Sequence, residues 1–188
     1  NYPLDRAVTT VLRCRVESLS GELEEFERLA SEAQSLVNSA GMDWMRGYLE
    51  WSHMWAASWR GDGRSMQTHH RDAAHFLGEL AETPTGHLFF AESASCAALV
   101  GEQGIAKRLL STALSIGGTG IESLVARLVV EGRSPTGVGC GGLCDTLLDH
   151  PHFPPERHWR VWAEQLRRYA PGDVGFDGLV ADVQRYSD

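Results

Sequence analysis

Two carboxylate–imidazole pairs stand out among the residues that could do chemistry. Glu50-x-x-His53 and Asp72-x-x-His75 each place an oxygen and a nitrogen ligand one turn apart on a helix. A hairpin folded at about residue 62 sets 50 opposite 75 and 53 opposite 72, so the four side chains would face one another. Carboxylate-x-x-His pairs on facing helices are a set with which helical bundles hold metal ions. Such sites draw carboxylates from two further helices as well, and Glu92 is the one obvious recruit. Both pairs also fall off the apolar stripes of their helices, where charged side chains usually meet solvent. A metal-dependent enzyme or metal-binding protein built on Glu50, His53, Asp72 and His75 is therefore the alternative reading, and its metal would be Fe, Mn or Zn.

Cys140-x3-Cys144, followed by His150, His152 and His158, has the ligand types of a zinc cluster. The His spacing is irregular and the surroundings are rich in Gly, so the default is a loop with two ordinary thiols. Gly117-Gly118-Thr119-Gly120 precedes a helical pattern but lacks the Lys-Ser/Thr ending of a phosphate cradle, and it reads as a helix stop. No Ser-His-Asp or Cys-His order points to a nucleophile.

Aromatic residues make the third candidate. Trp44, Tyr48, Trp51, Trp55 and Trp59 are spaced i, i+4, i+7, i+11 and i+15, which puts them on one helix face. Burial is the ordinary fate of such rings. On an open face they would instead hold an apolar ligand or a peptide helix at little entropic cost.

The elements that position these groups read as helices throughout. Val8, Val11, Leu12, Val16 and Leu19 give residues 5–19 an amphipathic period, and Phe26, Leu29, Ala30, Ala33, Leu36 and Val37 do the same for 22–38. Gly41 suits a helix end. Asp43 is placed to cap a helix running to Trp59. A helix from Ser65 to about Ala81 follows and stops at Thr83-Pro84, since the residue before Pro disfavours helix. Leu88–Val100, Ile105–Ile116 and Ile121–Glu131 complete the set. Gly and Pro crowd residues 133–154, a linker, and 155–188 carry two further helical patterns that would form a cap.

Three of these turns share a register. Gly21-Glu22, Gly61-Asp62 and Gly101-Glu102 lie 40 residues apart. Each is followed by an apolar residue at the fifth position after the Gly (Phe26, Met66, Ala106) and by Ala at the twelfth (Ala33, Ala73, Ala113). The eighth and ninth positions are apolar in the first and third segments, but the middle one carries His69 and His70 there. Periods of this length mark stacked helix–turn–helix units, which bury their stripes only against neighbours. The pattern resembles the second half of the tetratricopeptide (TPR) repeat. Its 40-residue spacing is similar to the superhelical sensor repeats of maltose-regulator-type signalling ATPases and large LuxR-type transcription regulators. Ala57-Ser58-Trp59-Arg60-Gly61-Asp62 resembles the turn of such repeats, and Phe90, Ala94 and Ala97 fit their first-helix core places. The resemblance covers residues 5–131.

The resemblance implies an all-α superhelical stack of three units over 1–132 with a closing helix. It also implies a non-catalytic sensor or protein-interaction function within a bacterial transcriptional regulator. On that register Tyr48, Trp51 and Trp55 face the inner curve, with Trp59, Phe89 and Glu92 beside them and Arg46 and Glu50 at the edges. The expected occupant of this groove is a protein or peptide, a small apolar effector, or a second copy in a homodimer. No metal or cofactor is expected. Net charge −8 over 188 residues argues against nucleic-acid binding, which rests on clustered Lys and Arg. No run of about 18 apolar residues and no signal-peptide pattern occurs, and Cys14 and Cys96 fall in helical patterns as buried free thiols. A cytoplasmic chain is the expectation. A first residue other than Met is what a processed chain or a piece of a longer one would show.

Overall fold

The turn glycines show why the chain folds where it does. Gly21, Gly61 and Gly101 all have positive φ, at 78°, 73° and 84°. Glycine enters this left-handed region without the clash that a Cβ would bring. In each turn the following acidic residue donates its N–H back across the helix end. Glu22 bonds the Glu17 carbonyl at 3.0 Å, Asp62 that of Ala57 at 3.0 Å, and Glu102 that of Ala97 at 2.8 Å. This six-residue closure is the Schellman motif, and it satisfies carbonyls that a helix end leaves unpaired. The same acidic residues then start the next helix, their carbonyls accepting from the N–H groups of Phe26, Met66 and Ala106. One local device thus recurs at 40-residue intervals.

The computed structural model describes residues 3–117 and 120–132. Seven α-helices run through them: α1 Pro3–Ser20, α2 Leu23–Ala40, α3 Asp43–Trp59, α4 Gly63–Leu77, α5 Pro84–Leu99, α6 Gln103–Gly117 and α7 Ile121–Gly132. A 3₁₀ turn, Gly78–Glu82, separates α4 from α5. No strand occurs among the described residues, so the fold is all-α as the periodicity implied. None of these helices is long and apolar enough to cross a membrane. The expected linker at 133–154, the expected cap at 155–188 and the Cys140–His158 ligand group lie outside the described residues.

Three boundaries differ from the sequence expectation. Asp43 does not cap α3: Met42 occupies that place without a side-chain bond, and Asp43 stands in the first turn, 3.6 Å from Arg46. Helix α4 ends at Gly78, whose φ of 53° breaks it before Ala81. Helix α5 begins at Pro84 rather than Leu88, because Thr83 is extended and its hydroxyl accepts from the Thr85 N–H at 3.2 Å. Proline is well placed at a first helical position, where its missing N–H would have had no partner.

The chain divides into two compact units after Phe89, within α5. In the first, α3 packs against α1, α2 and α4, and α1 packs against α2. The core draws on Ala7, Val11 and Cys14 of α1, Phe26, Leu29, Ala33 and Val37 of α2, and Met45 and Leu49 of α3. In the second, α6 packs against α7. Phe26, Met66 and Ala106 are all buried, as are Ala33, Ala73 and Ala113, so both recurring positions serve the interior. Cys14 and Cys96 are buried free thiols. Burial pushes the Cys14 thiol up to about 11, which leaves it protonated and inert at neutral pH.

The shared turn makes a direct prediction. A Cβ on Gly61 would meet nothing within 4 Å, so Gly61→Ala carries a backbone cost alone. That cost is roughly 1–2 kcal/mol for an L-residue in the left-handed region. Urea unfolding should show a loss of this size, and an unchanged midpoint would show that the turn does not require glycine.

Candidate functional site

The middle unit departs from its neighbours at two core positions. Where α2 offers Leu29 and Ala30 and α6 offers Leu109 and Leu110, α4 presents His69 and His70. Imidazoles at an interior register need partners, since an unpaired polar nitrogen is costly to desolvate. Both find them. His69 Nδ1 lies 2.7 Å from Glu50 Oε2 across the α3–α4 interface. A carboxylate only accepts, so Nδ1 carries the hydrogen of this bond. The His69 ring stacks on His53 at 5.0 Å between centroids and 19° between planes. The other side of the assembly is apolar: His53 meets Phe26 of α2 edge-on at 5.0 Å. His70 lies flat on Phe89, at 5.1 Å and 2°.

Electrostatics follows from that geometry. Burial alone would raise the Glu50 carboxyl, but the His69 hydrogen bond and the charges of His69 and His53 hold it below its ordinary value. Burial, then the neighbouring charge of His69, holds His53 below the usual imidazole value, and Glu50 opposes this only in part. His70 is lowered by burial. Glu27 of α2 and Arg60 at the end of α3 pair with each other near His53, and their opposite charges act on it in opposite senses. The arrangement holds one oriented, carboxylate-bound imidazole against a second that favours its neutral form.

The metal set of the alternative reading is not assembled. Glu50 and His53 meet His69, whereas Asp72 lies 4.0 Å from Arg71 and His75 is exposed with its ring against Phe76. The hairpin turns at Arg60–Asp62, as expected, but across the α3–α4 interface Glu50 meets His69 and not His75. No group of three or more His, Cys, Asp or Glu side chains that could hold a metal ion occurs among the described residues. His69 was legible all the same, because it occupies a position that is apolar in the other two units.

The aromatic stripe has two fates. Trp51 is 0% and Trp55 2% exposed, and Phe89 is buried. The Arg15 guanidinium of α1 lies 3.8 Å from the Trp51 ring centroid, a cation–π contact. Phe89 meets the same ring edge-on at 5.1 Å, and Tyr48 is tilted against it at 5.5 Å. Trp59 stacks on Trp55 at 5.7 Å, and its Nε1–H donates to the Ser18 carbonyl at 2.8 Å. Trp51 and Trp55 are therefore interior rings covered in part by α1, and the expected groove does not open over them. Tyr48 and Trp59 are partly buried, and Glu92, also partly buried, belongs to the second unit. Trp44, the outermost member of the stripe, is 40% exposed and meets Tyr48 edge-on at 6.0 Å.

Comparison with protein-family models, curated proteins and solved structures finds no match to this chain.

The two ends of the stripe should respond differently to truncation. Trp51→Ala should lower the unfolding free energy by roughly 3–5 kcal/mol, the scale of a large cavity. Trp44→Ala should cost less, about 1 kcal/mol, because the residue is 40% exposed at the edge of the core. Chemical denaturation of the two variants checks this, and equal losses would contradict it.

Proposed function

We propose that this chain is a non-catalytic, TPR-like helical-repeat binding domain. We assign it to the cytoplasmic sensor or protein-interaction part of a bacterial transcriptional regulator. One observation carries the reading: the same glycine turn and the same two buried positions recur every 40 residues through three helix pairs. Stacked units of this kind present extended surfaces of first-helix side chains, and such surfaces take partners. The chain's net charge of −8 speaks for a protein or apolar effector over nucleic acid.

The aromatic edge of α3 narrows where that partner would sit. Tyr48 keeps part of its ring at the surface with Trp44 standing against it, and the pair is anchored on the buried Trp51. An exposed aromatic pair on a rigid support is a low-entropy anchor for an apolar side chain of a peptide helix, or of a second copy of the chain.

A photo-crosslinking residue placed at Trp44 in cells tests this, with exposed Ser31 of α2 as the control position. The expected result is a discrete polypeptide adduct from position 44 that is absent from position 31 and lost with Tyr48→Ala. Equal or absent adducts at the two positions would overturn the assignment of this edge.

A further inference from the structure

Two stacked imidazoles, one of them bonded to a carboxylate, stand between α3 and α4. His69 holds Glu50 at 2.7 Å, and His53 stacks on His69 at 5.0 Å. One imidazolium on this pair is compensated by Glu50. A second would put two like charges face to face, with the Phe26 edge on the far side of His53. Like charges at this distance repel, more strongly in a partly buried setting than in water. The other charged groups facing His53 do not relieve this. Glu27 from α2 is already paired with Arg60 at the end of α3, and α4 contributes His69 itself.

We propose that the Glu50–His53–His69 cluster is a pH-sensitive latch on the α3–α4 hairpin, closed while the stacked rings carry at most one positive charge and released when both are protonated. From the closed form that carries one charge, opening takes up one proton from water, at His53, and breaks no covalent bond. Mildly acidic conditions are the trigger, and the moving part is α4. The device stands whatever partner the domain binds.

The direction with pH follows from the same groups. The folded chain holds His53 below the free imidazole value of about 6.5. The unfolded or opened chain therefore binds that proton first as pH falls. Stability owed to neutral His53 is complete above about pH 6.5 and declines as pH drops from there towards the folded value. Glu50, held below its ordinary value, acts in the same sense in the carboxylate range. His70 is lowered by burial as well and acts in the same sense, but its ring lies on Phe89 and not in the stacked pair, so His70→Phe controls for the His53–His69 contact itself.

The test uses the full chain at pH 7.5 and 5.5. In the wild type, the NMR titration of His53 should fall below that of free histidine. The cross-ring contact between His53 and His69 should be lost at pH 5.5, while the Trp59 indole N–H bonded to Ser18 stays protected. The ratio of opened to closed chain should rise by up to about tenfold for each pH unit between the free and buried imidazole values. His53→Phe keeps a ring between Phe26 and His69 and should remove most of this dependence, whereas His70→Phe should leave the depressed His53 titration and the loss of the His53–His69 contact at pH 5.5 in place. If His53→Phe does not fold, the wild-type titration and ring contact decide. A His53 that titrates at the free value, a ring contact unchanged at pH 5.5, or a His53→Phe variant with the wild-type pH dependence would overturn the latch.

Discussion

Helix α3 carries apolar or small side chains around nearly its whole circumference, and such a helix is stable only when neighbours cover it on every side. Ten of its seventeen residues are buried, from Met45 to Ser58. The first unit is arranged to meet that demand, with α1, α2 and α4 all against it. Close approach requires small residues. A Cβ on Gly47 would stand 3.0 Å from Leu77 Cγ and 3.2 Å from the Leu77 backbone nitrogen, so glycine sets how near α4 can come. The buried hydroxyls of Ser52 and Ser58 return to carbonyls of their own helix at 2.9 and 2.8 Å, which spares the core two unpaired donors.

That central position explains what was and was not legible in the sequence. Turns closed by one left-handed glycine are local, so Gly21, Gly61 and Gly101 were readable from type and spacing alone. The stripes behind them were readable too, because Phe26, Met66, Ala33 and Ala73 repeat at a helical period. The partners of α3 were not. Which face of a helix covered all round meets which neighbour depends on how the packed helices are rotated against one another. Glu50 meets His69 in place of the expected His75, which periodicity along either helix alone could not fix. The aromatic stripe was legible in part: periodicity placed five rings on one face but could not choose between core and groove, nor show Arg15 lying over Trp51. Thr83-Pro84 misled differently, since a proline that disfavours helix before it is also a good first residue of the next.

The histidines of α4 stand where the repeat offers apolar residues elsewhere, and their placement shapes the local energetics. A leucine at either position would add burial without a partner or a protonation state. His69 and His70 give up some of that burial for a hydrogen bond to Glu50 and two ring stacks. The result is an interface whose cohesion depends on charge state, inside a unit otherwise held by aliphatic and aromatic packing. Packing fixes α3, and α4 buries Met66, Ala73 and Leu77 beside the polar cluster.

Native-state hydrogen exchange tests the central place of α3 most directly. If α3 is the covered hub of the first unit, its amides from Met45 to Ser58 exchange only through unfolding of that unit. Their opening free energies then equal the one measured by denaturant, while those of α1 and α2 include smaller, local values. Amides of α3 that open locally, as readily as those on the outer faces of α1 and α2, would contradict the account.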